Sequence, residues 1–265
     1  MALDFNDPST RNTYALRTAD TSWKDSILDT LNPRGMRVAD IGCGGGIYST
    51  AWLDLGAEFV TGVDFSAQMI QAAETRCDEQ PNLSFIVSDA AKTGLPSGSY
   101  DIVFQRALIH HVNDLHAVFT EAMRLLVPGG TLIVQDRTMD DVLRPGTPEH
   151  LRGYFFEVFP HLLAFEEQRR PRRDAVSDLL HSVGFEAAKE SALSERRKSY
   201  PDSASLQRDL LARTGRSILH ELSDTELESL VDYVASRIPQ EGGIDEIDYW
   251  TVWSATKPKN KKQQL

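Results

Sequence analysis

The run Asp40-Ile41-Gly42-Cys43-Gly44-Gly45-Gly46 joins a strand pattern to a helix pattern starting near Ile47. Glycines in such a turn let the backbone bend sharply and lie against a ligand with its amides free to donate. Dinucleotide sites use glycine-rich turns too, but their fingerprint is G-x-G-x-x-G. Here the glycines fall as G-x-G-G-G, with Ile47 where the third would sit. Asp40, two residues before Gly42, can accept from an ammonium or from the loop amides. Asp64 ends a second strand, 20 residues after Gly44, where a carboxylate can accept two hydrogen bonds from a ribose diol. Asp89, followed by Ala90, ends a third, where a carboxylate can receive an exocyclic amine. Either of these two acids alone reads more simply as a cap or a solvated turn. Three acids at successive strand ends all lie on the C-terminal edge of one sheet, where open α/β sheets bind ligands.

His110-His111 follows a fourth strand at the mouth of that edge. A neutral imidazole there could take a proton from a hydroxyl, amine or carbon acid; a positional or packing role is the competing reading. Adjacent histidines point apart and no acid or histidine at ligand spacing accompanies them, so no metal is expected. Arg169, Arg170, Arg172 and Arg173 could recognise a carboxylate or phosphate, although such a run reads first as a solvated surface. Cys43 and Cys77 form no C-x-x-C pair and read as reduced thiols.

The elements that must position these groups alternate strand and helix, which predicts a parallel sheet covered on both faces. Strands are expected over 36–42, 58–65, 83–89, 100–106 and 130–136, a sixth from Phe185 to about Ala192 and a seventh over 248–256. Leu115, Val118, Phe119, Ala122, Met123 and Leu126 have helical spacing, with Asp114 as N-cap; Ser66 caps the helix of Met69, Ile70 and Ala73. A short helix over 22–31 puts Trp23, Ile27, Leu28 and Leu31 on one side. The helix of Val176, Leu179, Leu180 and Val183 stops at Gly184. Ser223 and Glu226 form a capping box ahead of Leu227, Leu230, Val231 and Val234. The aromatic cluster Tyr154, Phe155, Phe156, Phe159 and Phe165 reads as core, and its place after the fifth strand makes it a cap over the site.

Composition is that of an ordinary globular chain. A net charge of −11 argues against nucleic acid as the main partner. No apolar run approaches a membrane span, and the start MALDFNDPSTRNTY lacks a signal peptide's basic and apolar regions. A cytoplasmic protein with no membrane partner is expected; a homodimer stays open.

VADIGCGGG, GVDFSAQMIQAA, SDAAKTGLP, YDIVFQRALIHHV and LLVPGGTLIVQD, in this order from about 36 to 136, resemble the successive motifs of class I S-adenosylmethionine-dependent methyltransferases, in particular the ubiquinone/menaquinone-biosynthesis-like, small-molecule subgroup. The resemblance implies a Rossmann-like α/β fold with a seven-stranded, mostly parallel sheet, an antiparallel last strand and helical cap insertions. It implies a lid over 1–34, a core over 35–137 and 174–256, caps over 138–173 and 195–247, and a basic tail over 257–265. The cofactor would be S-adenosylmethionine, leaving as S-adenosylhomocysteine, and the partner a small-molecule methyl acceptor. Gly42, Gly44 and Gly46, with Asp40 and Cys43, would form the turn beneath the cofactor, and Asp64 would hold its ribose. Phe65 and Met69 would flank the adenine, Asp89 and the Ala90 amide would meet its amino group, and Gln105 and Arg106 would meet the methionine moiety.

The segment Asn12 to Arg17 resembles a lid in which Tyr14 closes the site and Arg17 pairs with a carboxylate. Thr18 stands where relatives have proline, and an ordinary exposed start is the equal alternative. His110, His111 and Tyr14 are the catalytic candidates. Gln105-Arg106-Ala107-Leu108 departs from the [DNS]-P-P-[YFW] of DNA and amide N-methyltransferases. No paired-glutamate loop of arginine methyltransferases and no metal triad of catechol-type enzymes is present. A nucleotide-dependent oxidoreductase, and a binding protein that senses S-adenosylmethionine without transferring its methyl group, are the alternatives.

Overall fold

Successive side chains of a strand face opposite sides, and the central strands are apolar on both. Val38, Val60, Ile102, Phe104 and Ile133 pack on one side with Trp23, Tyr48 and Trp52. Ala39, Val63, Val103, Leu132 and Val134 pack on the other with Val118, Phe119, Val176 and Leu180. A sheet buried on both faces in this way needs helices above and below. The computed structural model describes residues 18–77, 80–239 and 241–259.

The sheet comprises β1 (Arg37–Ile41), β2 (Phe59–Asp64), β3 (Leu83–Val87), β4 (Tyr100–Arg106), β5 (Leu126–Asp136), β6 (Glu186–Tyr200) and β7 (Ile244–Thr256). Their order is β3-β2-β1-β4-β5-β7-β6, with β7 antiparallel to both neighbours and the other pairings parallel. The seven-stranded, mostly parallel sheet with an antiparallel last strand is therefore present. Helices α1 (Thr21–Thr30), α2 (Ile47–Asp54), α3 (Ala67–Arg76), α4 (Leu115–Leu125) and α8 (Arg173–Val183) cover it. The expected caps form: Ser66 accepts from the Met69 amide, Asp114 from the Ala117 amide, and Gly184 ends α8 at φ 102°. Leu28 departs from the reading of α1, being 51 % exposed while Trp23 and Ile27 are buried.

Beyond β5 the chain builds a second core. Here α5 (Met139–Val142), α6 (Leu151–Val158), α7 (His161–Arg169), α9 (Ser203–Leu211) and α10 (Asp224–Ala235) bury Leu151, Phe155, Leu162, Leu206, Leu210, Leu230 and Val231 together. Residues from before and after β6 thus share one cap. The aromatic cluster is core, as expected: Tyr154, Phe155 and Phe156 are buried, and Phe159 and Phe165 pack against them. Strands β6 and β7 reach past their expected ends at 192 and 248 into this cap. Tyr200 and Ile244 belong to its core, so apolar packing extends the hairpin through a polar sequence that hid it.

Candidate active site

The parallel strands end together, and one cavity of about 570 Å³ opens over their C-terminal edge. Small-molecule sites are typically of this size. Its floor is the turn after β1. Gly42, Gly44 and Gly46 all have positive φ (78°, 51° and 75°), a conformation that L side chains rarely adopt. A Cβ on Gly44 or Gly45 would meet nothing within 4 Å, so the bare backbone borders open space. Gly46 does not line the cavity; a Cβ there would press on Phe85 and Ala73, so it serves close packing at the start of α2.

Asp64 sits at the end of β2, where its Oδ2 accepts from the Gly44 amide at 2.9 Å and its Oδ1 from the Ser66 amide at 2.9 Å. Burial raises its pKa, against these backbone donors. Asp40 lies beneath, almost fully buried, and accepts from Ser49 Oγ at 2.6 Å. Burial first, then the neighbouring Asp64 charge, pushes its pKa up to about 7. Phe65, 56 % exposed, and buried Met69 line the cavity together with Asp89 and Ala90; Asp89 fastens its own turn by accepting from the Ala91 amide. Cys43 also lines it, and its buried thiol is held well above its ordinary pKa.

Gln105 and Arg106 part company. Adjacent residues of β4 face opposite sides of the sheet; Arg106 reaches the cavity, whereas Gln105 is buried without lining it. The Arg106 guanidinium stacks between the Tyr48 and Trp250 rings, 4.1 and 4.3 Å from their centroids. Its Nη2 donates to Glu195 Oε2 at 2.7 Å, and Tyr48 Oη donates to the other Glu195 oxygen. Gln135 joins the same carboxylate at 3.2 Å and accepts from Trp23 Nε1 at 3.1 Å, tying α1 to the site.

Both histidines line the cavity, in the 3-10 turn Ile109–His111. His110 Nδ1 lies 2.8 and 2.9 Å from the two Asp136 oxygens. Burial, then the Arg170 charge, pushes its pKa down to about 3 despite Asp136. The ring is therefore neutral at physiological pH; with Nδ1–H donating to Asp136, Nε2 keeps its lone pair. His111, its ring tilted 44° to that of His110 with the centroids 4.0 Å apart, is likewise held low, by burial and then by Arg169. Tyr14 and Arg17 lie outside the described residues.

The arginine run is divided. Arg172 is solvated, with a side chain 81 % exposed, but Arg169 and Arg170 turn inward at 12 % and 2 %. Glu166 at the centre of the cap draws them in, and Arg170 also donates to Asp136 at 2.8 Å. The reading of the whole run as a solvated surface is thus corrected. Arg137, Arg152, Ser217, Asp248 and Trp250 complete the wall and were not singled out in the sequence. Asp136, a further acid at a strand end, carried the same signal as Asp64; Arg152, inside a helix of the cap, carried none.

Residues 39–134 match the model of a methyltransferase domain family. An uncharacterised methyltransferase of Mycobacterium tuberculosis is 34 % identical over 111 residues, which cover 42 % of this chain and 55 % of the relative. The chain thus spans about half the length of that relative. A demethylmenaquinone methyltransferase of Beutenbergia cavernae is 31 % identical over 182 residues, 63 % of this chain and 72 % of the relative. Among solved structures, a Haemonchus contortus phosphoethanolamine N-methyltransferase 2 in complex with S-adenosyl-L-methionine superposes with a TM-score of 0.60 at 20 % identity. That match covers 97 % of this chain and 60 % of the other, a likeness of fold. The glycine turn, the acids at the strand ends and the reversed last strand have the same explanation as these matches: the chain belongs to the class I S-adenosylmethionine-dependent methyltransferases.

Proposed function

We propose that the protein transfers the methyl group of S-adenosylmethionine to an oxygen, nitrogen or carbon nucleophile of a small molecule. The observation that carries this reading is a continuous cavity running from the β1 and β2 ends to the cap wall. One side offers bare backbone and carboxylates, and the other offers aromatic and charged side chains for an acceptor. The bare glycine backbone at Gly44 and Gly45 is a cradle that any Cβ would fill, which fits the cofactor.

When bound, S-adenosylmethionine supplies a methyl group on an already charged sulfonium, so the chain's task is alignment and exclusion of water. Asp64 has lone pairs beyond those given to Gly44 and Ser66 with which to accept from a ribose diol. Phe65 and Met69 offer apolar surface to a base, and Asp89 with the Ala90 amide offers an acceptor and a donor for its edge. Tyr48, Trp250 and the stacked Arg106 form a stiff wall. Arg152, Arg170, Gly215 and Ser217 bring the cap to the cavity wall. His110 Nε2 can accept a proton from the nucleophile, but a pKa of about 3 makes it a weak base, so positioning by hydrogen bond carries more of its effect.

Thermal melting tests the reading. S-adenosylhomocysteine should raise the Tm, because it binds only the folded state, and NAD should not. Cell extract supplied with methyl-labelled S-adenosylmethionine should then give a labelled small molecule. A Tm raised by NAD and unmoved by S-adenosylhomocysteine would overturn the reading.

A further inference from the structure

Four arginines gather at the cap wall. Arg137 follows β5, Arg152 lies in the first turn of α6, and Arg169 and Arg170 close α7. Glu166, completely buried, is shared by three of them: Oε1 accepts from Arg169 Nη2, Oε2 accepts from Arg170 Nε at 2.5 Å, and Arg152 Nη1 stands 3.9 Å from Oε1. Asp136 takes Arg170 Nη1, and Asp248 lies 2.7 Å from Arg137 Nη2. Arg137, Arg152, Arg169 and Arg170 thus divide Asp136, Glu166 and Asp248 among them and are one carboxylate short. Asp248 has no surplus, since Arg197 Nε is also within 3.9 Å of it.

The shortage falls on Arg152. Its Nε and Nη1 are buried without a hydrogen-bond partner among the described residues, while its side chain lines the cavity beside Arg137 and Arg170. Burial, then the Arg137 charge, lowers its pKa to about 9, with Asp248 and Glu166 resisting. His110 and His150, both held below their ordinary pKa, add no compensating or competing charge near neutrality. Buried guanidinium donors are costly unless an acceptor meets them, and a carboxylate or phosphate matches their planar fork.

We propose that Arg152, flanked by Arg137 and Arg170, binds an anionic group of the methyl acceptor, a carboxylate or a phosphate, and thereby fixes the acceptor in the cap half of the cavity. This rests on the methyl-transfer reading and narrows its substrate to small organic acids or phosphate esters. An anion at this point supplies the missing countercharge; a cationic acceptor group would add to the excess. Arg170 anchors the arrangement through Glu166 and Asp136, which leaves Arg152 as the group whose pairing changes when the acceptor enters.

Calorimetric titration of the protein, with and without saturating S-adenosylhomocysteine, tests this with inorganic phosphate and with benzoate against chloride of equal ionic strength. At least one anion should bind saturably where chloride does not. Tighter phosphate assigns a phosphate ester, and tighter benzoate a carboxylate. Arg152→Gln should weaken that anion about tenfold or more; Arg172→Gln, at the exposed Asp174 pair, should leave it unchanged. Arg152→Lys keeps the charge without the fork and should fall between them; it serves as the variant if the glutamine form does not fold. Wild type that binds neither anion better than chloride, or Arg152→Gln that binds them like wild type, overturns the inference. S-adenosylhomocysteine affinity separates the two failures. Normal cofactor binding without anion binding defeats only the anion site, whereas loss of cofactor binding in wild type defeats the methyl-transfer reading.

Discussion

At the scale of single residues, Asp64 is the group proposed to hold the ribose of the cofactor. Asp64→Ala removes an acceptor of two charge-assisted hydrogen bonds from the proposed ribose, each worth about 1.5–3 kcal/mol. S-adenosylhomocysteine affinity should therefore fall by about tenfold or more in a folded variant; unchanged calorimetry would contradict the ribose role. Gly44→Val should do comparable harm by another route, since the branched side chain would fill the open cradle and resist a φ of 51°. His110 makes a different forecast. With its pKa pushed down to about 3, its ionisation should leave the transfer rate level between pH 6 and 8. If His110 is nevertheless the base, single-turnover rates in His110→Ala should fall about 10²–10⁴-fold at saturating cofactor. A loss within about fivefold would mean the ring positions the acceptor.

Elements transmit these demands through close backbone approach. The start of α6 lies against the loop at 144–146, so a Cβ on Gly153 would come within 2.2 Å of the Gly146 nitrogen and 2.5 Å of the Pro145 carbonyl carbon. Backbone cannot swing aside as a side chain can, so Gly153→Ala must push α6, and Arg152 with it, off the loop. Overpacking of this kind costs about 1–3 kcal/mol. Urea unfolding should show that loss, and a variant within about 0.5 kcal/mol of wild type would mean that the contact yields freely. Gly62 in β2 differs, because a Cβ there would meet side chains, the Phe85 ring at 2.5 Å and Cys43 Sγ at 2.9 Å.

For the whole molecule, two buried groups pull stability in opposite directions with pH. Below about 6.5 the unfolded chain protonates His110 while the folded protein does not until about pH 3, so stability falls as pH drops through that window. Asp40 is the reverse. The folded protein holds its proton up to about pH 7 and the unfolded chain only near 3.8, so its contribution is present at low pH and lost as pH rises through 7. Asp40→Asn removes the opposing term and should make stability fall more steeply between pH 7 and 5, as read from urea midpoints. A slope equal to that of wild type would show that Asp40 is already ionised at neutral pH. Asp136 and Glu166, held low by their charged partners, act only below the ordinary carboxylate range.

The floor of the cavity was legible in the sequence because its determinants are local. A glycine turn after β1, an acid at the end of β2 and another just beyond β3 are fixed by strand ends and positive φ, and a parallel sheet brings such ends to one edge whatever surrounds them. The caps at Ser66, Asp114 and Gly184 were legible for the same reason. The cap wall was not. Whether an arginine is solvated or buried depends on which carboxylate it meets, and Glu166, Asp136 and Asp248 come from a cap helix and two strands brought together only by packing. The run at 169–173 looks uniform in sequence, yet two of its members turn inward and one is solvated. Alternation along β4 could separate Gln105 from Arg106, but the Tyr48, Trp250 and Glu195 that hold Arg106 are distant in sequence. Burial and charge pairing are sums over neighbours, and only the tertiary structure supplies the neighbours.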